Sequence, residues 1–239
     1  MACQAGGRLI VSIDLELDHH PGSLRRQQTL DALTTQLLAL LDELEIPATF
    51  AVADPRYSAA TEAIMASPVR HEVAVLADAT WAGPGCGRER FARELSRRFG
   101  TARSAGLAVS TLALRQVELT EHADLLGKTG ITALRGNFQG ELTQVWRAPP
   151  VTPLPHRNGW WFESGELTAY RALQRAIRQQ GLTHWLLDAS TLIDQPASNW
   201  RAVVTALDAA ACARAAGKLQ IGTLQSFATE PVWFRSRSA

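Results

Sequence analysis

The chain has 239 residues, 46% of them hydrophobic, and its 24 basic and 23 acidic side chains leave a formal net charge of +1. That composition supplies one large α/β core, and an even charge with no basic block excludes nucleic acid as a principal partner. Cys3, Cys86 and Cys212 are odd in number and widely spaced, which excludes a disulfide framework or a zinc knot and suits a reducing compartment. No stretch reaches the roughly 20 apolar residues that a bilayer crossing needs. The N-terminal residues carry no apolar segment ahead of a small-residue cleavage site. A soluble, cytoplasmic protein without a membrane span is therefore expected.

Leu9 to Ile13 is an apolar run interrupted only by Ser12, too short for a helix and rich in β-branched residues, so it is expected to form a buried strand of a parallel sheet. It breaks into Asp14, Glu16, Asp18, His19 and His20. Leucines at helical spacing over Leu24 to Leu44 predict a helix, ended by Ile46 and Pro47. Ala48 to Ala53 follows as a strand, Ser58 to Ser67 as a short helix with Ser58 as its cap, and His71 to Leu76 as a third strand. A small-residue loop, ADATWAGPGCG, leads to an amphipathic helix over Arg88 to Arg103. Leu107 to Leu114 reads as strand, Leu119 to Lys128 as helix and Ile131 to Leu134 as strand. Residues 137–161, with four prolines and three tryptophans, form an irregular loop of the kind that is usually functional or mobile. Regularity returns with a helix over Glu166 to Gln180, a strand over His184 to Leu187, a helix over Trp200 to Ala216 and a strand over Leu219 to Thr223.

Strand and helix alternate about seven times with no linker, which predicts one domain over 1–239 with regular units across about 8–225. The expected fold is a single α/β domain, a distorted (β/α)7-type barrel. In such folds the carboxyl ends of the strands face the ligand crevice. Asp14, Glu16, Asp78 and Asp188 fall at those ends. Asp14 continues the strand register, and a buried carboxylate is costly unless it is used or paired. Asp18 to His20 reads equally as part of a site or as a solvated turn before Pro21. Trp81, Trp146, Trp160 and Trp161 fall in the loops, where they can stack on sugar rings, plug the barrel or meet a protein partner.

Several stretches, in order, resemble the polysaccharide deacetylase family, the NodB-like carbohydrate esterases. SIDLEL resembles its first motif, IPATFAVAD its second strand and HEVAVLADATW the strand that leads to a metal-binding His-x-x-x-His. RERFARELSRR, LAVSTLALRQ and HADLLGKTGITALRG resemble the following helix, the Phe-x-x-Pro-Arg segment and the Gly-Phe-x-x-x-Arg-Gly strand, and THWLLDAS resembles the late His-Leu-Trp-x-His-Pro motif. The resemblance implies the deacetylase-type barrel and places Asp14 where the general base would stand. It also implies metal-ligating histidines at positions held here by Leu76 and Thr80, and leucine cannot ligate zinc. Arg115 is kept without its Pro neighbour, His184 is kept, and the final His of the late motif is Asp188.

The expectation is a deacetylase-like protein of cell-surface polysaccharide metabolism that binds a carbohydrate, an acetylated sugar or a protein partner without metal-dependent hydrolysis. No cofactor is expected. The alternative is an active N- or O-deacetylase or amidohydrolase whose carboxylates hold Zn²⁺ or another divalent metal in a rearranged site. Asp14, His184 and Asp188 are the catalytic candidates. Glu16, Asp78, Trp81, Arg115, Arg135, Trp160 and Trp161 are the substrate-binding candidates. Glu72 is expected to be a structural hydrogen-bond partner.

Overall fold

The structure is a computed structural model and describes residues 6–16, 24–56, 58–139, 142, 144–154, 165–194 and 196–230. In chain order the elements are β1 (Gly7–Asp14), α1 (Leu24–Glu43), β2 (Thr49–Val52), α2 (Ala59–Ala66), β3 (Glu72–Ala77) and α3 (Arg88–Ser104). They continue with β4 (Thr111–Leu119), α4 (Asp124–Lys128), β5 (Ala133–Phe138), β6 (Trp146–Arg147), β7 (Thr152–Pro153) and α5 (Gly165–Gln179). The last are β8 (Leu182–Asp188), α6 (Ala189–Asp194), α7 (Pro196–Ala215), β9 (Leu219–Gly222) and α8 (Leu224–Ala228). Among the described residues no helix is long and apolar enough to cross a membrane.

Every strand pair is parallel, as short strand–helix crossovers require. The order is β6-β5-β4-β3-β2-β1-β8-β7, with β9 also on β1. β8 pairs with Arg8 to Asp14, so β9 at Gly7 to Ile10 and β2 at Ser12 to Asp14 must share the opposite edge of β1. The sheet is a curled half-barrel, in keeping with the distorted barrel expected. Its edges, β6 and β7, are two residues long and are joined through Pro149 and Pro150, whose missing N–H groups cannot extend a ladder.

Strand alternation sorts the side chains. Leu9, Val11 and Ile13 of β1, with Phe50, Trp185 and Leu187, face outward into a core shared with Leu37 and Leu41 of α1 and Val203 and Leu207 of α7. Val75, Leu112 and Leu134 face a second core under α3, whose Phe91, Leu95, Phe99 and Ala102 recur on one helical face. The inward positions are different in kind. Ala51, Ala74, Leu76 and Ala113 line the middle of the curl. At the amino-terminal end α8 plugs it, with Leu224 and Phe227 against Ile10 and Ala133.

Three boundaries differ from the sequence reading. β4 runs on to Leu119 through a register shift between Ala113 and Glu118, where Gln116 takes a positive φ of 52°. The helix expected from Leu119 therefore starts only at Asp124, after His122 at φ 64°. The irregular segment 137–161 contains the end of β5 together with β6 and β7. Ser58 precedes α2 as expected, but its side chain makes no capping hydrogen bond.

Candidate functional site

The inward residues of β1 are Ile10, Ser12 and Asp14, which climb from the plugged end toward the carboxyl-terminal mouth. Asp14 is buried, and across the curl it meets the buried Arg135 of β5 with Nη2 2.6 Å from Oδ1. Gly136 allows β5 to lie close there, because at φ 125° an added Cβ would come within 2.6 Å of the Leu114 side chain. The two charges touch, yet no N–H points well at Oδ1. Asp14 Oδ1 and both terminal nitrogens of Arg135 lack an aligned hydrogen bond among the described residues. Burial pushes the Asp14 carboxyl above its usual range, and the Arg135 guanidinium pulls against that rise.

Asp188 lies beside Asp14 in the β1–β8 register. Its Oδ1 accepts from the Ser190 N–H at 2.9 Å and the Ser190 hydroxyl at 2.7 Å, a turn that fixes the carboxylate. Arg115 Nη2 stands 3.4 Å from both Asp188 oxygens and 3.3 Å from Ser190 Oγ. The mouth thus brings together Asp14, Arg135, Asp188 and Arg115 as two carboxylate–guanidinium pairs. Glu16, just past β1, accepts from the Ala53 N–H at 2.7 Å and ties the ends of β1 and β2. Burial raises its pKa against that hydrogen bond and the fields of Arg115 and Arg98.

Other expected site residues lie elsewhere. His184 sits level with Ile10, below the mouth. Its Nε2 accepts from the Ser12 hydroxyl at 2.7 Å and its Nδ1 donates to the Pro149 carbonyl at 3.3 Å. Burial and the Arg135 charge press its pKa down to about 3. A neutral imidazole with both nitrogens engaged ties β8 to β1 and to the β6–β7 connection. Asp78, by contrast, stays at the mouth end, where its charge helps to raise the Glu16 pKa, and it accepts from the Thr80 N–H at 2.8 Å in the turn after β3. Trp81 is a correction: the loop turns it inward to 2% exposure, stacked on Phe91 and with the Arg98 guanidinium over its ring, so it offers no face to a sugar. Trp146 lies on β6, half-buried against the plug cluster, which fits the barrel-plugging alternative. Trp160, Trp161, Asp18, His19 and His20 lie outside the described residues.

Ser12, Ser190 and Arg98 were not anticipated. The first two carried a signal. Ser12 is two residues before Asp14 on the same strand face, and Ser190 follows Asp188 by the two residues of an Asx turn.

No protein-family model matches the chain, and no curated protein sequence matches it. Solved structures do. A candidate polysaccharide deacetylase from Mycobacterium smegmatis superposes with a TM-score of 0.70 at 14% identity, covering 98% of this chain and 93% of that one. A candidate cellobiose-phosphate cleavage protein from Enterococcus faecalis gives 0.57 at 11% identity, over 93% and 99% of the two chains. A 4-alpha-glucanotransferase from Thermococcus litoralis gives 0.54 at 12% identity, over 95% of this chain and 40% of that one. At such identities the likeness establishes the fold. The chain shares the deacetylase-like α/β half-barrel.

The described residues do not fit a divalent metal at the mouth. They contain no group of three His, Cys, Asp or Glu side chains that could hold an ion. Leu76 is buried among Ala51, Ala74 and Ala113, and the Asp14 and Asp188 carboxylates face guanidinium groups.

Proposed function

We propose that this chain is a polysaccharide deacetylase-like protein of cell-surface carbohydrate metabolism that binds a carbohydrate at the half-barrel mouth without metal-dependent hydrolysis, in the cytoplasm. The observation that carries the reading is the 2.6 Å contact between Asp14 and Arg135. A hydrolytic metal needs free carboxylate lone pairs and an open coordination position. Here a permanently charged guanidinium stands against the one carboxylate that the resemblance casts as general base. Arg115 and Asp188 above it, only partly buried, with the buried Ser190 behind them, offer the donors and acceptors with which sugar hydroxyl and acetamide groups bond.

The test presents an N-acetylglucosamine tetramer and its free-amine counterpart to the wild type and to Arg115→Gln. Saturable binding of one of them, unaffected by a chelator, weakened by the substitution and unaccompanied by acetate release, is expected. Acetate release that stops on chelation, or no binding of either oligosaccharide, would overturn the reading.

A further inference from the structure

β4 leaves the sheet ladder where the mouth begins. Between the pairing of Ala113 with Arg135 and that of Glu118 with Asn137, four residues of β4 (Leu114, Arg115, Gln116 and Val117) stand against Gly136 alone on β5. Extra residues in one strand of a pair bend it and re-aim its side chains. Leu114 and Val117 explain why the chain bulges here. They lie three positions apart, which in a regular strand would put them on opposite faces, yet both are buried in the core under α3. The backbone must make an extra turn between them, and the left-handed φ of 52° at Gln116 supplies it.

Glutamine is a poor choice for that turn. A residue with a Cβ resists the left-handed region, and such strain persists where the surroundings impose it, as they do at binding sites. The Gln116 side chain is exposed, so packing gives it little reason to be there. What the turn provides is the placement of Arg115. Arg115 follows Ala113 on the inward face, and its guanidinium reaches Asp188 at the end of β8 and Ser190 at the start of α6. Strands β3, β2 and β1 lie between β4 and β8, so this contact spans the mouth. The turn of Asp188 with Ser190 fixes one end of it, and the bulge fixes the other.

We propose that Gln116 is a positioning residue of the carbohydrate site: its left-handed backbone, rather than its side chain, holds Arg115 where the guanidinium donates to sugar hydroxyls. The inference rests on the carbohydrate reading above and adds to it the residue that sets the reach of Arg115.

Gln116→Val and Gln116→Gly are compared with wild type and Arg115→Gln, first without ligand and then with the N-acetylglucosamine tetramer and its free-amine counterpart. Valine is β-branched and resists the left-handed region, whereas glycine accepts it. Without ligand, Gln116→Val should shift the backbone amide resonances of Asp188 and Ser190 as Arg115→Gln does, and Gln116→Gly should leave them in place. With ligand, Gln116→Val should weaken binding about tenfold, the scale of one hydrogen bond to a charged group. Gln116→Gly should stay within about twofold of wild type, and it carries the test if valine unfolds the chain. In an Arg115→Gln background, Gln116→Val should cost no further affinity, a result that a general loss of stability would not give. Unmoved amides in a folded Gln116→Val would overturn the positioning role. So would moved amides or lost affinity in a folded Gln116→Gly, the latter making the glutamine side chain the contact. Amides that behave as predicted, with neither oligosaccharide bound by the wild type, would overturn the carbohydrate reading and leave the placement of Arg115 standing.

Discussion

The two ends of the curl each bury a carboxylate and treat it differently. At the plugged end Glu72 accepts from the Thr49 hydroxyl at 2.8 Å, from the Thr111 hydroxyl and from the Gln225 N–H at the start of α8 at 2.9 Å. Its oxygens are satisfied by neutral donors, and although burial raises its pKa the bonds oppose the rise. At the mouth Asp14 is met by a full charge, with donors and acceptor imperfectly aligned. Neutral, complete satisfaction marks a staple that holds α8 in place. Charged, incomplete satisfaction marks a place where the fold has kept polar groups at a cost.

Breaking the charged end should do the most damage. Arg135→Met leaves Asp14 buried without its counter-charge and should cost about 3 to 5 kcal/mol in denaturant unfolding. Adding Asp14→Leu to it should restore most of that loss, because replacing both members of a buried pair is often neutral. If the double variant were no more stable than Arg135→Met, the contact would not be an ion pair that matters. At the plugged end Glu72→Leu strands two hydroxyls and one N–H, and a loss of about 2 to 3 kcal/mol is expected. Hydrogen exchange should show α8 loosening before the rest.

His184, between the two ends, sharpens the comparison through pH. Its pKa is about 3 folded against an ordinary 6.5. Between those values the unfolded chain holds a proton that the folded chain does not, so this group makes stability fall as the pH drops from about 6.5 toward 3. Asp14, Glu16 and Glu72, all shifted upward, act in the opposite sense and lose stability as the pH rises through the carboxylate range. His184→Gln should therefore cost about 1 to 2 kcal/mol at neutral pH from its lost hydrogen bonds and show a shallower acid slope than the wild type. An unchanged slope would mean that the imidazole is not held neutral. The smallest effect belongs to Arg115→Gln: its 3.4 Å contact to a partly exposed Asp188 is worth at most about 0.5 kcal/mol of stability. A loss several times larger would place Arg115 in the core network rather than at the mouth.

Much of the fold was legible because the apolar strands and the phased helices carry their period locally. Leu24–Glu43, Arg88–Ser104 and the β1 run to Asp14 fall where the pattern puts them. What the pattern could not show is which side of a doubly buried strand each residue takes, since Leu9 to Ile13 carries apolar residues on both faces and Ser12 alone breaks them. Nor could it show that Arg135 reaches Asp14, a contact made across strands far apart in sequence. The β4 boundary was hidden by a bulge that needs a positive φ at Gln116, a residue with no marked preference for it. Trp81 misled because a glycine-rich loop suggests exposure, whereas here the loop folds its indole onto Phe91.

The proposed function holds that Asp14 works beside Arg135 and without a metal ion. Calorimetric titration of Zn²⁺, Mn²⁺ and Co²⁺ into metal-stripped protein, wild type beside Asp14→Asn, tests it most directly. No stoichiometric uptake that depends on Asp14 is predicted at tens of micromolar metal. One ion bound per chain in the wild type and lost in Asp14→Asn would contradict the claim and return the mouth to metal-dependent chemistry.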